Sequence, residues 1–260
     1  MATSFHLRLI RHGETDANVQ ELVEAHTPTP LNATGRRQAE ALGAALAAEG
    51  ATFVLVVSSD TQRARETCER ALGTAVAASA RLEPLVRERE SGPLHGLTYA
   101  EATRLQAEAR SSGQPLAGLE SVADARKRAA TFFERLVREM TDDGGSGGSG
   151  SGGGGEVVVF SHAGLIHLLL LHLQQQHGLL LLQRHLTAGP QLHFSWNTGQ
   201  TRLLVRRGEA GELTVECEYL HRDDHLTAGL APSSYLMQDG SRQPRDGVDA
   251  AAQPITHSLV

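Results

Sequence analysis

Three short segments of this chain carry side chains that could handle an anion. Arg11-His12-Gly13-Glu14-Thr15 follows Phe5–Ile10, which reads as a short buried strand. Ser58-Ser59-Asp60 follows the continuous apolar run Phe53–Val57, with Arg63 and Arg65 close behind. Ser161-His162-Ala163-Gly164 follows a third apolar run, Val157–Phe160. Each segment places an arginine or a histidine at the carboxyl end of a strand. Two of the three lead directly into a helix, whose free N–H groups and dipole favour negative charge. Arginine's planar fork matches phosphate oxygens better than a lysine point charge does. The combination suits a phosphate dianion.

Phosphoryl transfer at such a site needs a nucleophile, charge stabilisation of the equatorial oxygens, a proton for the leaving oxygen and a water to finish. His12 can attack if its imidazole is neutral, and neighbouring Arg11 and Arg63 push its pKa in that direction. His162 can hold the transferring group. The stretch Val86-Arg87-Glu88-Arg89-Glu90 offers Glu88 and Glu90 as proton donors. A carboxyl held beside a phosphate in a closed pocket keeps its proton more readily, while its arginine neighbours oppose that shift, so both glutamates stay open on this reasoning.

The elements that must position these groups alternate between strand and helix. Residues 33–48 carry helix formers with Ala39, Leu42 and Leu46 at helical spacing. A helix is expected from about Asp60, which can cap it, and another over Tyr99–Arg110. Ser121–Met140 is the clearest helix, with Ser121 and Asp124 as a capping pair and an apolar face that includes Phe133 and Leu136. Gly144–Gly155 contains only Gly and Ser and reads as a flexible insertion in a loop. A helix over 164–177, ended by Gly178, follows the third strand. Runs near 191–196, 201–206 and 213–219 predict strands, the last two a hairpin around Gly208 and Gly211. The fold class expected is α/β, a doubly wound, mostly parallel sheet with an antiparallel excursion near the C-terminus. Ligands bind such sheets beyond the carboxyl ends of the strands. One domain over 1–226 and a loosely held tail over 227–260 complete the expected organisation.

Bulk properties narrow the partners. A 260-residue chain with a formal net charge of −6 advertises no nucleic-acid or anionic-membrane surface. The greasiest stretch, Leu165–Leu182, is interrupted by Gln174-Gln175-Gln176-His177-Gly178 and is too broken to span a bilayer. Two distant cysteines, Cys68 and Cys217, argue for a reducing, cytoplasmic setting and against a disulfide framework. The many later histidines, among them His167, His172, His221 and His225, form no metal-ligand spacing, so neither a metal nor another cofactor is expected.

Taken in order, the segments resemble the histidine phosphatase (phosphoglycerate-mutase-like) superfamily. Arg11-His12-Gly13-Glu14-Thr15 with Asn18 is similar to its opening signature. Pro30-Leu31 with Thr34-Gly35-Arg36, Ser58 through Thr67, Arg87-Glu88-Arg89 with Gly92 and Gly96, and Ser161-His162-Ala163-Gly164 resemble its later segments. The resemblance spans roughly residues 5 to 226. It implies an α/β/α sandwich, His12 as phosphohistidine nucleophile and Glu88 as proton donor. It further implies Arg11, Arg63 and His162 around the phosphate, with Asn18 and Arg89 assisting. Leu119-Glu120-Ser121, Phe132-Phe133, Asn197-Thr198-Gly199 and Asp224-His225-Leu226 resemble the TIGAR-type sugar bisphosphatases, which implies a small phosphorylated metabolite such as fructose 2,6-bisphosphate or 2,3-bisphosphoglycerate as substrate.

Two departures bear on substrate choice. Glu24-Ala25 stands where the family commonly has Gln-Gly, and His95 where many phosphatases have Glu. A carboxylate at 24 would repel a second phosphate unless it points away or pairs with a cation. A phosphoglycerate mutase is the alternative activity, although the tryptophan and paired arginines of that branch are missing after Glu88. A protein-directed or non-catalytic member of the fold, acting as a binding module, is the alternative outside metabolite chemistry.

Overall fold

The computed structural model describes residues 3–141, 154–179, 194–227, 229–230, 234–236 and 242–244. At its centre is a six-stranded sheet of β1 (Thr3–Arg11), β2 (Leu55–Ser58), β3 (Arg81–Leu82), β4 (Glu156–Ser161), β5 (Gln200–Arg207) and β6 (Leu213–Arg222), in the order β3-β2-β4-β1-β5-β6. The pairs β3–β2, β2–β4 and β4–β1 are parallel, whereas β1–β5 and β5–β6 are antiparallel. The predicted fold class is therefore the observed one.

Why the strands are apolar nearly throughout follows from having helices on both faces. Side chains alternate across a strand with a period of two. Val157 and Val159 of β4 enter one core with Leu7, Leu9, Phe132, Phe133 and Leu169. Val158 and Phe160 enter the other with Ile10, Leu42, Leu46 and Cys68. The first layer is covered by α6 (Val122–Thr141) and α7 (Ala163–Gln176). The second is covered by α2 (Ala33–Ala48) and α3 (Gln62–Leu72). A four-residue helix α1 (Asp16–Val19), a short α4 (Thr74–Ala78) and α5 (Tyr99–Ser112) complete the helices of the described residues.

Local signals explain most boundaries. The Asn32 side chain accepts from the Gly35 N–H at 2.8 Å and opens α2. Thr98 and Glu101 form a capping box for α5, and Gly113 ends it at φ 69°. Ser121 accepts from the Asp124 N–H, as its spacing predicts.

Two expectations need correction. Asp60 does not cap α3: the N-cap is Thr61, and the Asp60 carboxylate instead receives both arms of the Arg87 fork at 2.6 and 2.5 Å. A bidentate charged pair outcompetes a cap hydrogen bond. The strand expected near 191–196 is absent over 194–196, residues 191–193 lying outside the described set. There Ser195 and Asn197 spend their hydrogen-bonding groups on the first motif rather than on a ladder.

Of Gly144–Gly155, only Gly154 and Gly155 are among the described residues, and the Gly155 carbonyl already accepts from the His6 N–H at 3.1 Å beside β1. Past Leu226, the Gln38 amide donates to the Leu230 carbonyl at 2.8 Å. Ser234–Leu236 and Arg242–Pro244 form a small antiparallel pair. No helix among the described residues is long and apolar enough to cross a membrane.

Candidate active site

His12 sits one residue beyond β1, on a backbone fixed from three sides. Its N–H donates to the Ser161 carbonyl at the end of the neighbouring strand β4. Its carbonyl accepts from the Asn197 amide at 3.1 Å and from the Thr198 N–H. The Gly13 N–H donates to the Thr67 hydroxyl of α3, which in turn donates to the Arg63 carbonyl. Gly13 and Gly35 are packed so closely that a Cβ on Gly13 would lie 2.6 Å from the Gly35 carbonyl oxygen. Only glycines let this turn settle against the start of α2.

The His12 ring is 4% exposed, and its Nδ1 lies 2.7 Å from the Gly13 carbonyl oxygen. A carbonyl can only accept, so Nδ1 carries the hydrogen and Nε2 of the neutral ring keeps its lone pair. Burial holds the imidazole well below its ordinary pKa, and the fields of Arg63 and then Arg11 add to that. His162 is wholly buried with its ring centroid 5.2 Å from that of His12. Its Nε2 meets the hydroxyls of Ser59 at 2.9 Å and Thr61 at 3.2 Å, and burial followed by Arg63 keeps it neutral too.

Around these two rings is a set of polar atoms with nothing to bind. Arg63 is completely buried; one arm donates to the Ala25 carbonyl at 3.0 Å, while its Nε and Nη1 have no hydrogen-bond partner. Arg11 gives one arm to the Ser195 carbonyl at 2.8 Å and leaves Nε buried without one. His162 Nδ1 is in the same condition. Burial lowers the pKa of Arg11, a sign that its charge is poorly solvated. Unsatisfied buried donors cost on the order of 1–3 kcal/mol each. An anion among them would remove that cost.

The structure separates the two glutamates that the sequence leaves open. The Glu88 carboxylate accepts from the Gly164 N–H at 3.0 Å and the Arg89 N–H at 2.9 Å, which sets it over the N-terminus of α7 next to His162. Glu90 turns elsewhere: its carboxylate lies 2.8 Å from a ring nitrogen of His26 and accepts from the Ser91 N–H. Arg89 donates only its backbone N–H in this network. Asn18 is committed locally, since its side chain serves the α1 capping box with Thr15, donates to Glu24 at 2.9 Å and accepts from Asn197. His95 is exposed, with its Nδ1 accepting from the Ala25 N–H.

Two positioning residues escape the sequence reading, and the role of a third, Asn197, is not given by the resemblance in which it figures. Arg128 of α6 donates to the carbonyls of Leu85, Arg87 and Glu88 and to the Glu120 carboxylate, so it grips the whole loop that carries Glu88. His26 places one ring nitrogen 2.6 Å from the Glu88 carbonyl oxygen and the other against Glu90. Asn197 backs His12. No spacing rule marks such residues, because each acts across a large sequence separation. The apolar face of α6 is legible; the purpose of an arginine beside it is not.

A histidine-centred anion site at the carboxyl edge of a mixed α/β sheet defines a recognisable class. The sequence model of the histidine phosphatase superfamily (branch 1) matches residues 7–207, and the chain belongs to that superfamily. A broad-specificity phosphatase of Saccharomyces cerevisiae is 36% identical over 100 residues, 38% of this chain, and the match spans less than half of that relative, 44%. Fructose-2,6-bisphosphatase TIGAR B of Danio rerio is 29% identical over 86% of this chain and 96% of its own. A solved structure of mycobacterial glucosyl-3-phosphoglycerate phosphatase is 26% identical, with a TM-score of 0.63 over 84% of this chain and 99% of that one.

Proposed function

We propose that the chain is a metal-independent phosphatase that hydrolyses a small phosphorylated metabolite through a phosphohistidine intermediate. The observation that carries this reading is the neutral His12, whose Nε2 keeps its lone pair in a buried pocket where Arg63, Arg11 and His162 are close and each has an unpartnered nitrogen.

In the first step Nε2 of His12 attacks phosphorus, an N–P bond forms, and the bond from phosphorus to the ester oxygen breaks. Arg11, Arg63 and His162 bind the equatorial oxygens, whose charge is spread in the transition state. Glu88 hands its proton to the departing oxygen. The resulting carboxylate then takes a proton from water as that water attacks phosphorus, and the N–P bond breaks to release orthophosphate. Neutrality of His12 matters at the first step because an imidazolium has no lone pair to offer.

The resemblance to TIGAR-type enzymes and the similarity to a fructose-2,6-bisphosphatase favour a sugar bisphosphate or bisphosphoglycerate as substrate. The mycobacterial relative extends the range to a phosphoglycerate carrying a sugar. A phosphate-release panel over these compounds tests the choice. If isomerised product exceeds released phosphate, the mutase alternative replaces hydrolysis.

The nucleophile is tested by substitution. His12→Ala should lower turnover by more than about 10⁴-fold and abolish acid-labile phosphoenzyme after quenching with labelled substrate. Full activity in that variant would end the assignment. EDTA should leave the rate unchanged, and a strong loss would expose a metal requirement.

A further inference from the structure

We propose that Glu24 is a proton-carrying ligand for the substrate's phosphate, so that anion binding is linked to the uptake of one proton. The inference rests on the phosphatase reading of the site.

The Glu24 side chain is 7% exposed, and its two oxygens have unlike surroundings. Oε2 accepts from the Thr15 hydroxyl at 2.8 Å and from the Asn18 amide at 2.9 Å. Oε1 is buried without a hydrogen-bond partner, 3.9 Å from Nη1 of Arg63, which is itself unpartnered. An anion seated on Arg63 therefore meets Oε1 as well. The charged and titratable groups near it are Arg63 from α3, Arg11 from the end of β1 and His26 two residues on in its own loop. Glu88 and Tyr99 also act on Arg11.

Arg63 offsets part of the repulsion between Glu24 and a bound anion, and a proton between the two acceptors removes the rest. A carboxylate and a phosphate dianion are both acceptors only, and like charges at contact repel. The carboxyl is not free to swing away. Thr15 and Asn18 hold Oε2 from the α1 capping box, and Asn197 pins Asn18 in turn. With Oε2 already accepting twice, Oε1 is the oxygen that can take the proton. It comes from solvent, and the new O–H donates to a phosphate oxygen. A glutamine would offer an N–H donor there at every pH; glutamate offers one only when protonated.

The test uses the full chain and tungstate, kept well below millimolar concentration so that it stays a monomeric dianion across the range needed. Calorimetric titration between pH 6 and 8 should show wild-type affinity weakening by up to about tenfold per pH unit, as linkage of one proton requires. Glu24→Gln should bind more tightly at pH 8 by about tenfold or more and lose that slope. Glu24→Ala should bind weakly with no slope, because it has no donor at any pH. His12 and His162 are already neutral over this range, and any slope from other histidines is common to wild type and variants, so the difference between them reads Glu24. Parallel slopes for wild type and Glu24→Gln would overturn the proposal while leaving the anion site standing. Absence of tungstate binding in every variant would instead remove the anion site on which the phosphatase reading depends.

Discussion

A single hydrogen bond decides which ring nitrogen of His12 keeps its lone pair. Because the Gly13 carbonyl oxygen lies 2.7 Å from Nδ1, the proton stays there and Nε2 keeps its lone pair in the field of Arg63 and Arg11. At the same scale, Glu88 and Glu90 lie two residues apart yet meet different surroundings, one over the start of α7 and the other against His26. If Glu88 supplies the leaving-group proton, Glu88→Gln should slow an alkyl phosphate by about 10²–10⁴-fold. An activated aryl phosphate, whose leaving group needs no proton, should be slowed far less. Glu90→Gln should affect both substrates equally and mildly. Paired rate measurements check this, and the reverse pattern would move the acid to Glu90.

Elements contribute by setting distances that no single residue controls. The end of β4 and the start of α7 deliver His162 and the Gly164 N–H together, so the second histidine and the site that receives Glu88 are consecutive in the chain. Gly164 is therefore a spacing residue: a Cβ built there would lie 2.5 Å from Oε1 of Glu88. Gly164→Ala should leave the melting temperature within a few degrees of wild type but push the carboxylate off its donor. A displacement of about 1 Å is enough to reduce kcat by about 10²-fold. The loss should be confined to substrates with poor leaving groups. An equal loss on aryl phosphates would point to a disturbed His162 instead. On the opposite side of the loop, Arg128 explains why a segment made of turns and short 3₁₀ pieces holds one conformation: four oxygen-bearing groups converge on its guanidinium.

For the whole molecule, burying several neutral histidines makes stability depend on pH. Burial holds His12 and His162 well below 6.5, and His225 at about 4. The unfolded chain binds protons at these rings near 6.5, whereas the native protein excludes them until much lower pH. Unfolding then takes up protons, so the stability present above pH 6.5 is lost progressively as pH falls toward the native values. Thermal melts at pH 7.5 and 5.5 should show a lower melting temperature at 5.5, a range in which most carboxylates are still ionised. A flat or rising melting temperature would mean the rings are solvated in the native state. The fold tolerates this arrangement because two large cores on either face of the sheet supply stability that the site does not.

Residue types and their order determined the sheet, most of its flanking helices and the candidates His12, Arg11, Arg63 and His162. Strand alternation, caps and strand-end motifs are local, and local patterns are written in adjacent letters. Tertiary structure alone decided how far each candidate is committed. It set Glu88 rather than Glu90 over α7, tied Asn18 into a cap, turned Asp60 from a helix cap into the partner of Arg87, and left 194–196, part of a strand expected near 191–196, as irregular chain that supports the first motif. It also brought the Glu24–His26 loop and Arg128 of α6 to the site from two separate segments. Hydrogen bonding and charge act through space, over a few ångströms between groups that can be more than a hundred residues apart. Their outcome is fixed only once the chain has closed around them.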